Sequence, residues 1–288
     1  MLHRIKQFSF FILFIFPVIV CAGNYDKGLL WKIEKPGVPS SYVFGTIHLE
    51  DARVTAVPDI VKQTLNQSRS FTMEILSSPE DDKLAAMAMV YTDGRNLKQV
   101  LGDSLFKEVA AAAQKNGMSE AGIMAFKPWA MMVLLTMPPP KTGLFLDKVL
   151  LDIANAAGKP LHALETMEEQ LRIFNDASTE DQIHMLRETI VDYDSFAQEM
   201  EKLTKAYLAR DLRALLAISK EKMKPDDKVA KKFMTRLFED RNHIMAERMQ
   251  SRLNEGNAFI AFGALHLTGK EGVLQLLEDK GYKISLLY

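Results

Sequence analysis

Two stretches of this chain read almost alike: Phe44-Gly45-Thr46-Ile47-His48-Leu49 and Phe262-Gly263-Ala264-Leu265-His266-Leu267. Their histidines lie 218 positions apart. Each hexapeptide closes an apolar run of strand character, Ser41 to Leu49 and Ala258 to Leu267. A short helix and a further strand come after each. In the first copy Pro58 opens a helix over Asp59 to Asn66, and Ser70 to Leu76 is the strand. In the second, Glu271 to Lys280 is a helix ended by Gly281, and Tyr282 to Leu287 is the strand. A strand, G-x-x-H, helix and strand written twice places both histidines at strand carboxyl ends, where open α/β sheets bind ligands. The expected fold is α/β (α+β), a pseudo-symmetric mixed β-sheet from the two chain ends with large helical insertions.

Outward from these motifs, Leu29 to Glu34 and Ser41 to Leu49 form a hairpin around Pro36-Gly37. A helical insert runs over about 79–158, punctuated by Gly94, Gly102, Gly117 and Pro128. Pro160 to Leu164 is a short strand. Thr166 then caps a helix with Glu169 three residues on, a capping box, and Thr179 with Gln182 reads as a second. Helical spacing fills the segment about 166–254, so residues 23–288 form one domain in which helix dominates.

The N-terminus reads as a signal peptide over 1–22. Arg4 and Lys6 precede a 13-residue, almost continuous apolar run from Phe8 to Val20, too short for a comfortable span. Val20-Cys21-Ala22 then suits signal-peptidase cleavage after Ala22. The chain is thus expected to be exported, periplasmic or secreted. Cys21, the only cysteine, is a less favoured alternative as a lipidated first residue, because Val20 precedes it where a lipobox has Gly, Ala or Ser. Either way the folded domain has no disulfide, catalytic thiol or thiolate ligand. Of 288 residues 48% are hydrophobic and 25% charged, with net charge −1, so no basic excess calls for nucleic acid. Loss of Arg4 and Lys6 leaves 34 basic against 37 acidic residues. No membrane span is expected in the mature chain; Ala125 to Met137 is broken by Lys127-Pro128 and closed by Pro138-Pro139-Pro140.

His48 and His266, each held at the end of a rigid strand, are the first chemical candidates, and Gly45 and Gly263 leave room for close backbone approach. The bland reading is a pair of satisfied core histidines. Glu74 lies in the apolar strand F-T-M-E-I, where a carboxylate is costly unless paired or metal-bound. Two histidines and a carboxylate suit Mn, Co, Fe or Zn with open positions. An ion pair with an arginine is the competing account of Glu74. Glu165 stands where a strand meets a helix, as general base, orienting group or helix-dipole partner. Arg241 is a candidate to hold Glu74 or polarise a carbonyl, and Asn242 to fix a ligand or an imidazole; a solvated helix face is the alternative for both. The 16 methionines read as core filler or a greasy groove. There is no G-x-S-x-G, H-E-x-x-H or P-loop.

V-F-G-T-I-H-L-E-D, T-M-E-I, K-P-W, Leu146-Asp147, A-L-E-T-M-E-E-Q-L, R-N-H-I-M-A and A-F-G-A-L-H-L-T-G-K-E-G occur in an order that resembles the TraB/GumN family. That family includes the Tiki proteases and is related to the erythromycin-esterase and ChaN-like haem-binding proteins. The resemblance implies a metal-dependent hydrolase of peptides using Mn or Co, with His48, Glu74 and His266 at the motif positions and Arg241-Asn242 matching a further signature. Ile75-Leu76 depart from the E-x-D pair often found there, so no second carboxylate comes after Glu74. The expectation is an exported metal-dependent hydrolase, most simply a peptidase acting on a peptide or small envelope ligand. Metal at His48, His266 and Glu74 would activate water, with Arg241 steadying the oxyanion. The alternative is a non-catalytic envelope binding protein that sequesters haem or a small peptide.

Overall fold

The computed structural model describes residues 25–137, 142–221 and 223–288. The expected signal peptide, Cys21 and the Pro138-Pro139-Pro140 run lie outside them.

Six strands form one mixed sheet: β1 (Leu30–Lys35), β2 (Val38–Thr46), β3 (Ser70–Met73), β4 (Leu161–Ala163), β5 (Ala258–Gly263) and β6 (Lys283–Leu286), in the order β4-β3-β5-β2-β1-β6. The hairpin β1–β2 turns where expected, with Gly37 at φ +80°, a conformation glycine adopts without a Cβ penalty. The two motif strands β2 and β5 are parallel neighbours at the centre, Gly45 opposite Phe262 and Thr46 opposite Gly263. Strand β3 returns beside β5, whereas β6 returns outside β1 rather than beside β2. The N-terminal strand β1 is therefore inserted into one arm of the repeat, and among these six it is the strand that runs against the others.

Buried on both faces, the central strands carry almost continuous apolar sequence. Val43, Phe44, Phe71, Phe259, Ile260 and Phe262 are fully enclosed, and Phe259 meets the rings of Phe44 and Phe71 at 6.2 and 6.1 Å. Helices Asp59–Gln67, Leu146–Ala156, Asp240–Arg248 and Val273–Asp279 contribute Val61, Leu150, Met245 and Leu274 to this core. A second core lies in the helical region. It joins Leu97, Val109 and Ala113 of the helix Leu97–Lys115 to Met131 and Leu135 of Pro128–Thr136 and Leu186 of Thr179–Asp192. The helical stretch 79–158 is thus divided: most of it builds the second core, and its last helix covers the sheet.

Local expectations were met in part. Thr166 accepts from the Glu169 N–H and Glu169 returns to the Thr166 N–H, as a capping box requires. Thr179 and Gln182 do not form one. Ser178 caps that helix through the Asp181 N–H, and Gln182 instead donates to the Ala177 carbonyl. Both motif strands and β3 end earlier than their apolar runs. Thr46 and Gly263 are the last paired residues, so His48 lies beyond β2 and His266 in a 3-10 turn, Ala264–His266. Glu74 sits one residue past β3 rather than inside it. Among the described residues no helix is long and apolar enough to cross a membrane.

Candidate functional site

The ends of β5, β3 and β4 meet the helix Asp240–Arg248 in a closed polar network. Arg241, with 9% of its side chain exposed, is the hub. Its Nε donates to Glu165 Oε1 at 2.9 Å, and one terminal nitrogen donates to Glu165 Oε2 at 2.6 Å, a two-pronged pair. That same nitrogen reaches Glu74 Oε2 at 2.9 Å. The other donates to the Leu237 carbonyl at 3.1 Å and faces His266 Nε2 at 3.3 Å. All five guanidinium N–H groups are thereby engaged. Leu237 belongs to a π-helical turn, Thr235–Glu239, that runs straight into the arginine's helix.

Glu74 is tied at both oxygens. Oε1 accepts the Gly263 N–H at 2.6 Å, and Oε2 accepts from Arg241 and, at 3.3 Å, from Gln170. The backbone also joins the two carboxylates, since the Glu165 N–H donates to the Glu74 carbonyl at 2.8 Å. Glu165 is almost wholly enclosed, whereas a quarter of the Glu74 side chain meets solvent. The buried Glu165 carboxylate demands a cation, and here the guanidinium supplies it.

The protonation of His266 is set by its neighbours. Asn242 Nδ2 donates to the Glu271 carbonyl at 2.6 Å, which turns its Oδ1 toward His266 Nδ1 at the same distance. The amide oxygen only accepts, so Nδ1 carries the proton and Nε2 presents a lone pair to Arg241. Burial pushes the His266 pKa down to about 4, opposed by Glu74 and assisted by Arg241. The ring is therefore neutral near pH 7. For Arg241 burial works against the charge, but Glu165 and Glu74 outweigh it and hold the guanidinium above its usual range.

His48 occupies a different environment. Its side chain is 58% exposed and its ring stacks on Phe145, with centroids 4.0 Å apart and planes 9° apart. Nδ1 faces Asp147 Oδ2 at 3.4 Å, and Asp147 Oδ1 accepts from Thr46 Oγ1 at 2.7 Å. The carboxylate thus orients the imidazole while Thr46 orients the carboxylate. The two environments adjoin: Thr46 and Gly263, the anchors of Asp147 and Glu74, are register partners on neighbouring strands, and such strands lie about 4.8 Å apart.

Of the expected residues, Glu74, Glu165, Arg241, Asn242 and His266 come together, and Asn242 does fix an imidazole. His48 stands apart with Asp147. Asp147, Gln170 and Phe145 escaped sequence reasoning as site residues. Asp147 lies in the first turn of Leu146–Ala156, where an acidic residue is accounted for by the helix dipole. Among the described residues the other histidines are taken up by surface or structural pairs: His162 with Arg252, His184 with Asp227 and His243 with Glu271. The two motif glycines do unequal jobs. A Cβ on Gly45 would come within 2.6 Å of Leu267 Cδ1 and 3.0 Å of the Ala264 Cα, so β2 and the turn after β5 touch only because it is absent. At Gly263 a Cβ would meet Glu74 and His266 at 3.4 Å, ordinary contact.

The model of the TraB/PrgY/gumN family matches residues 29–286. This chain belongs to that family. It is similar to the metalloprotease TIKI2 of Danio rerio, 23% identical over 90% of this chain and 61% of the relative. The metalloprotease TIKI1 of Danio rerio is 25% identical over 90% of this chain and 63% of its own length. A metalloprotease TIKI homolog of Nematostella vectensis is 23% identical over 94% of this chain and 70% of its own. The chain thus spans about three-fifths of the length of the first two relatives. No solved structure matches it.

Those relatives' names suggest a metal cofactor. Among the described residues, however, no group of three or more His, Cys, Asp or Glu is arranged to hold a metal ion. The reason is visible in the contacts: Glu74, Glu165 and His266 Nε2 all face the guanidinium, and His48 is engaged with Asp147 on its own. As placed, His48, His266 and Glu74 do not fit a shared ion.

Proposed function

We propose that this chain is an exported hydrolase of peptide bonds. The observation that carries the reading is the junction of two dissimilar histidine environments on adjoining strand ends. One is an exposed imidazole oriented by a carboxylate; the other is a buried cation held in a rigid polar network. Hydrolysis needs both kinds of group, a base to activate water and a fixed positive charge near the carbonyl oxygen. With Nδ1 turned to Asp147, His48 has Nε2 left to take a proton from water and return it to the leaving amine. Arg241, whose N–H groups are all engaged as the network stands, would supply the fixed positive charge once Glu74 turns from it toward solvent. Glu74, the solvent-facing member of the network, holds Arg241 from the open side, and neutral His266 accepts from it behind. The peptide substrate class rests on the metalloprotease names of the relatives.

A divalent ion enters this reading from those names alone. His48, His266 and Glu74 as they stand do not accommodate Mn, Co, Fe or Zn: Arg241 would have to withdraw from Glu74 and His266, and His48 from Asp147.

The deciding experiment digests a mixed peptide library with purified chain. It compares chelator-stripped protein with protein given Mn, Co, Fe or Zn, and measures bound metal in parallel. The proposal expects cleavage that falls about 100- to 10,000-fold in His48→Ala. Activity that appears only with metal, together with metal lost on His266→Ala, selects the ion-bearing form. No cleavage in any arm, with a Soret band on haem titration, would overturn the hydrolase in favour of a sequestering protein.

A further inference from the structure

His48, two residues past the end of β2, lines a groove of about 570 Å³, within the range of small-ligand sites. The groove lies where the sheet edge meets the helical region. Phe145, Leu135, Met137, Phe196 and Met200 form its apolar walls. The acidic residues on its rim do not make it a cation site. Asp51 and Glu201 both pair with Arg53, at 2.6 and 2.9 Å, and Asp194 pairs with Lys115 at 2.7 Å. The Glu50 carboxylate accepts the backbone N–H groups of Thr142 and Gly143, at 2.9 and 2.7 Å. Charge on the rim is answered within the protein, and the wall is mainly apolar; its uncharged polar members are bonded internally, Tyr193 to Asn116, Thr136 to Met132 and Thr204 to Met200. Its two methionines are unbranched and flexible, so they adapt to more than one shape.

The geometry points to this groove as the specificity pocket of the site, taking one bulky uncharged side chain of a peptide, such as phenylalanine, leucine or methionine, beside the His48 imidazole. This rests on the hydrolase reading, because His48 joins the groove to the reacting bond. A basic or acidic side chain would shed water without gaining a partner there, so it is excluded.

Ala197 gives a way to test the groove without touching His48, Asp147 or the Arg241 network. It lines the groove on the exposed face of the helix Phe196–Leu208, so Ala197→Trp fills the space while leaving the cores intact. The probes are the N-acetyl amides of phenylalanine, leucine, methionine, lysine and glutamate, followed by ligand-observed NMR on the full chain. The three apolar probes should bind and the two charged ones should not. Ala197→Trp, checked for an unchanged melting curve, should weaken the phenylalanine probe about tenfold or more. Equal binding of the lysine or glutamate probe, or phenylalanine binding that survives Ala197→Trp, overturns the proposal. Groove binding with no cleavage of any peptide would sink the hydrolase reading and leave the pocket standing. Cleavage with no side-chain preference would do the reverse.

Discussion

The two F-G-x-x-H-L copies end adjacent parallel strands, yet their histidines have opposite surroundings. His266 is 4% exposed, its ring held between Asn242 and Arg241. His48 is open to solvent, with one weak bond to Asp147 and a stacked Phe145. The difference begins with the path of the chain after each strand. Beyond β5 it tucks into a 3-10 turn under the helix Asp240–Arg248, so His266 is carried inward. Beyond β2 it leaves toward the groove, and His48 goes with it. One motif thus yields a structural and electrostatic anchor in one copy and a solvent-accessible imidazole in the other. If so, substitutions in the buried copy should act on stability, and those in the exposed copy on activity.

The largest effect is expected at the Arg241–Glu165 pair. Arg241→Met leaves Glu165 buried without its cation and should cost about 3–5 kcal/mol in urea unfolding. Adding Glu165→Met to that variant removes the stranded charge and should restore much of the loss. A double variant no more stable than the single one would mean that the network is not held together by this pair.

A pH titration of stability sharpens the comparison further. His266 titrates near 4 in the folded chain and near 6.5 when unfolded. Between these values the unfolded chain binds a proton that the folded chain does not, so stability must fall as pH drops from about 6.5 to about 4. The loss from this residue should be on the order of 3 kcal/mol. His266→Gln should flatten that part of the curve, while His48→Gln leaves it in place. The same slope in both variants would assign the proton elsewhere.

The glycines extend the contrast to the backbone. Gly45→Ala must displace Leu267 and the turn at Ala264, and overpacking of this kind costs roughly 1–3 kcal/mol. Gly263→Ala meets its neighbours at contact distance and should cost less than about 1 kcal/mol in a chemical melt. Equal costs would show that the turn does not rest on β2.

How much of this was legible in the sequence depends on whether a residue's partner is near it in the chain. The repeat of strand, G-x-x-H, helix and strand was enough to make β2 and β5 members of one sheet, with their motif ends on the same side of it. Thr166 with Glu169 was legible because both bonds of a capping box span three residues. Placing β1 within the sheet was not, since the hairpin pairs β1 with β2 but leaves its far edge undefined, and β6 docks there from the opposite end of the chain. Strand ends were overrun because Ile47, Leu49, Ile75 and Leu265 stay apolar after pairing stops; what ends a strand is its neighbour, absent from the local pattern. Arg241 was foreseen as a partner for Glu74, but Glu165 grips it with two prongs, at 2.9 and 2.6 Å, where Glu74 has one at 2.9 Å. A sequence states the charge and leaves the contest between two carboxylates to the fold. Asp147 was hidden because an acid in a first helical turn already has an ordinary explanation.

The smallest expected change in stability carries the most about function. Asp147→Asn replaces a part-exposed carboxylate by an amide of the same shape, and should move the melting free energy by less than about 0.5 kcal/mol. Thr46 can donate to the amide oxygen as it does to the carboxylate, so the side chain keeps its place. What changes is its other end, since an amide nitrogen donates to His48 Nδ1 where the carboxylate accepts. The imidazole would then be driven to the tautomer protonated at Nε2, which cannot take a proton from water. If His48 is the base, turnover should fall roughly 10- to 100-fold while KM for a cleaved peptide stays within about twofold. Asp147→Glu, which keeps an acceptor, should recover part of the rate. An unchanged turnover in Asp147→Asn would mean that the exposed copy of the motif does not act as a base. A joint collapse of stability and activity would mean that it is an anchor like its buried twin.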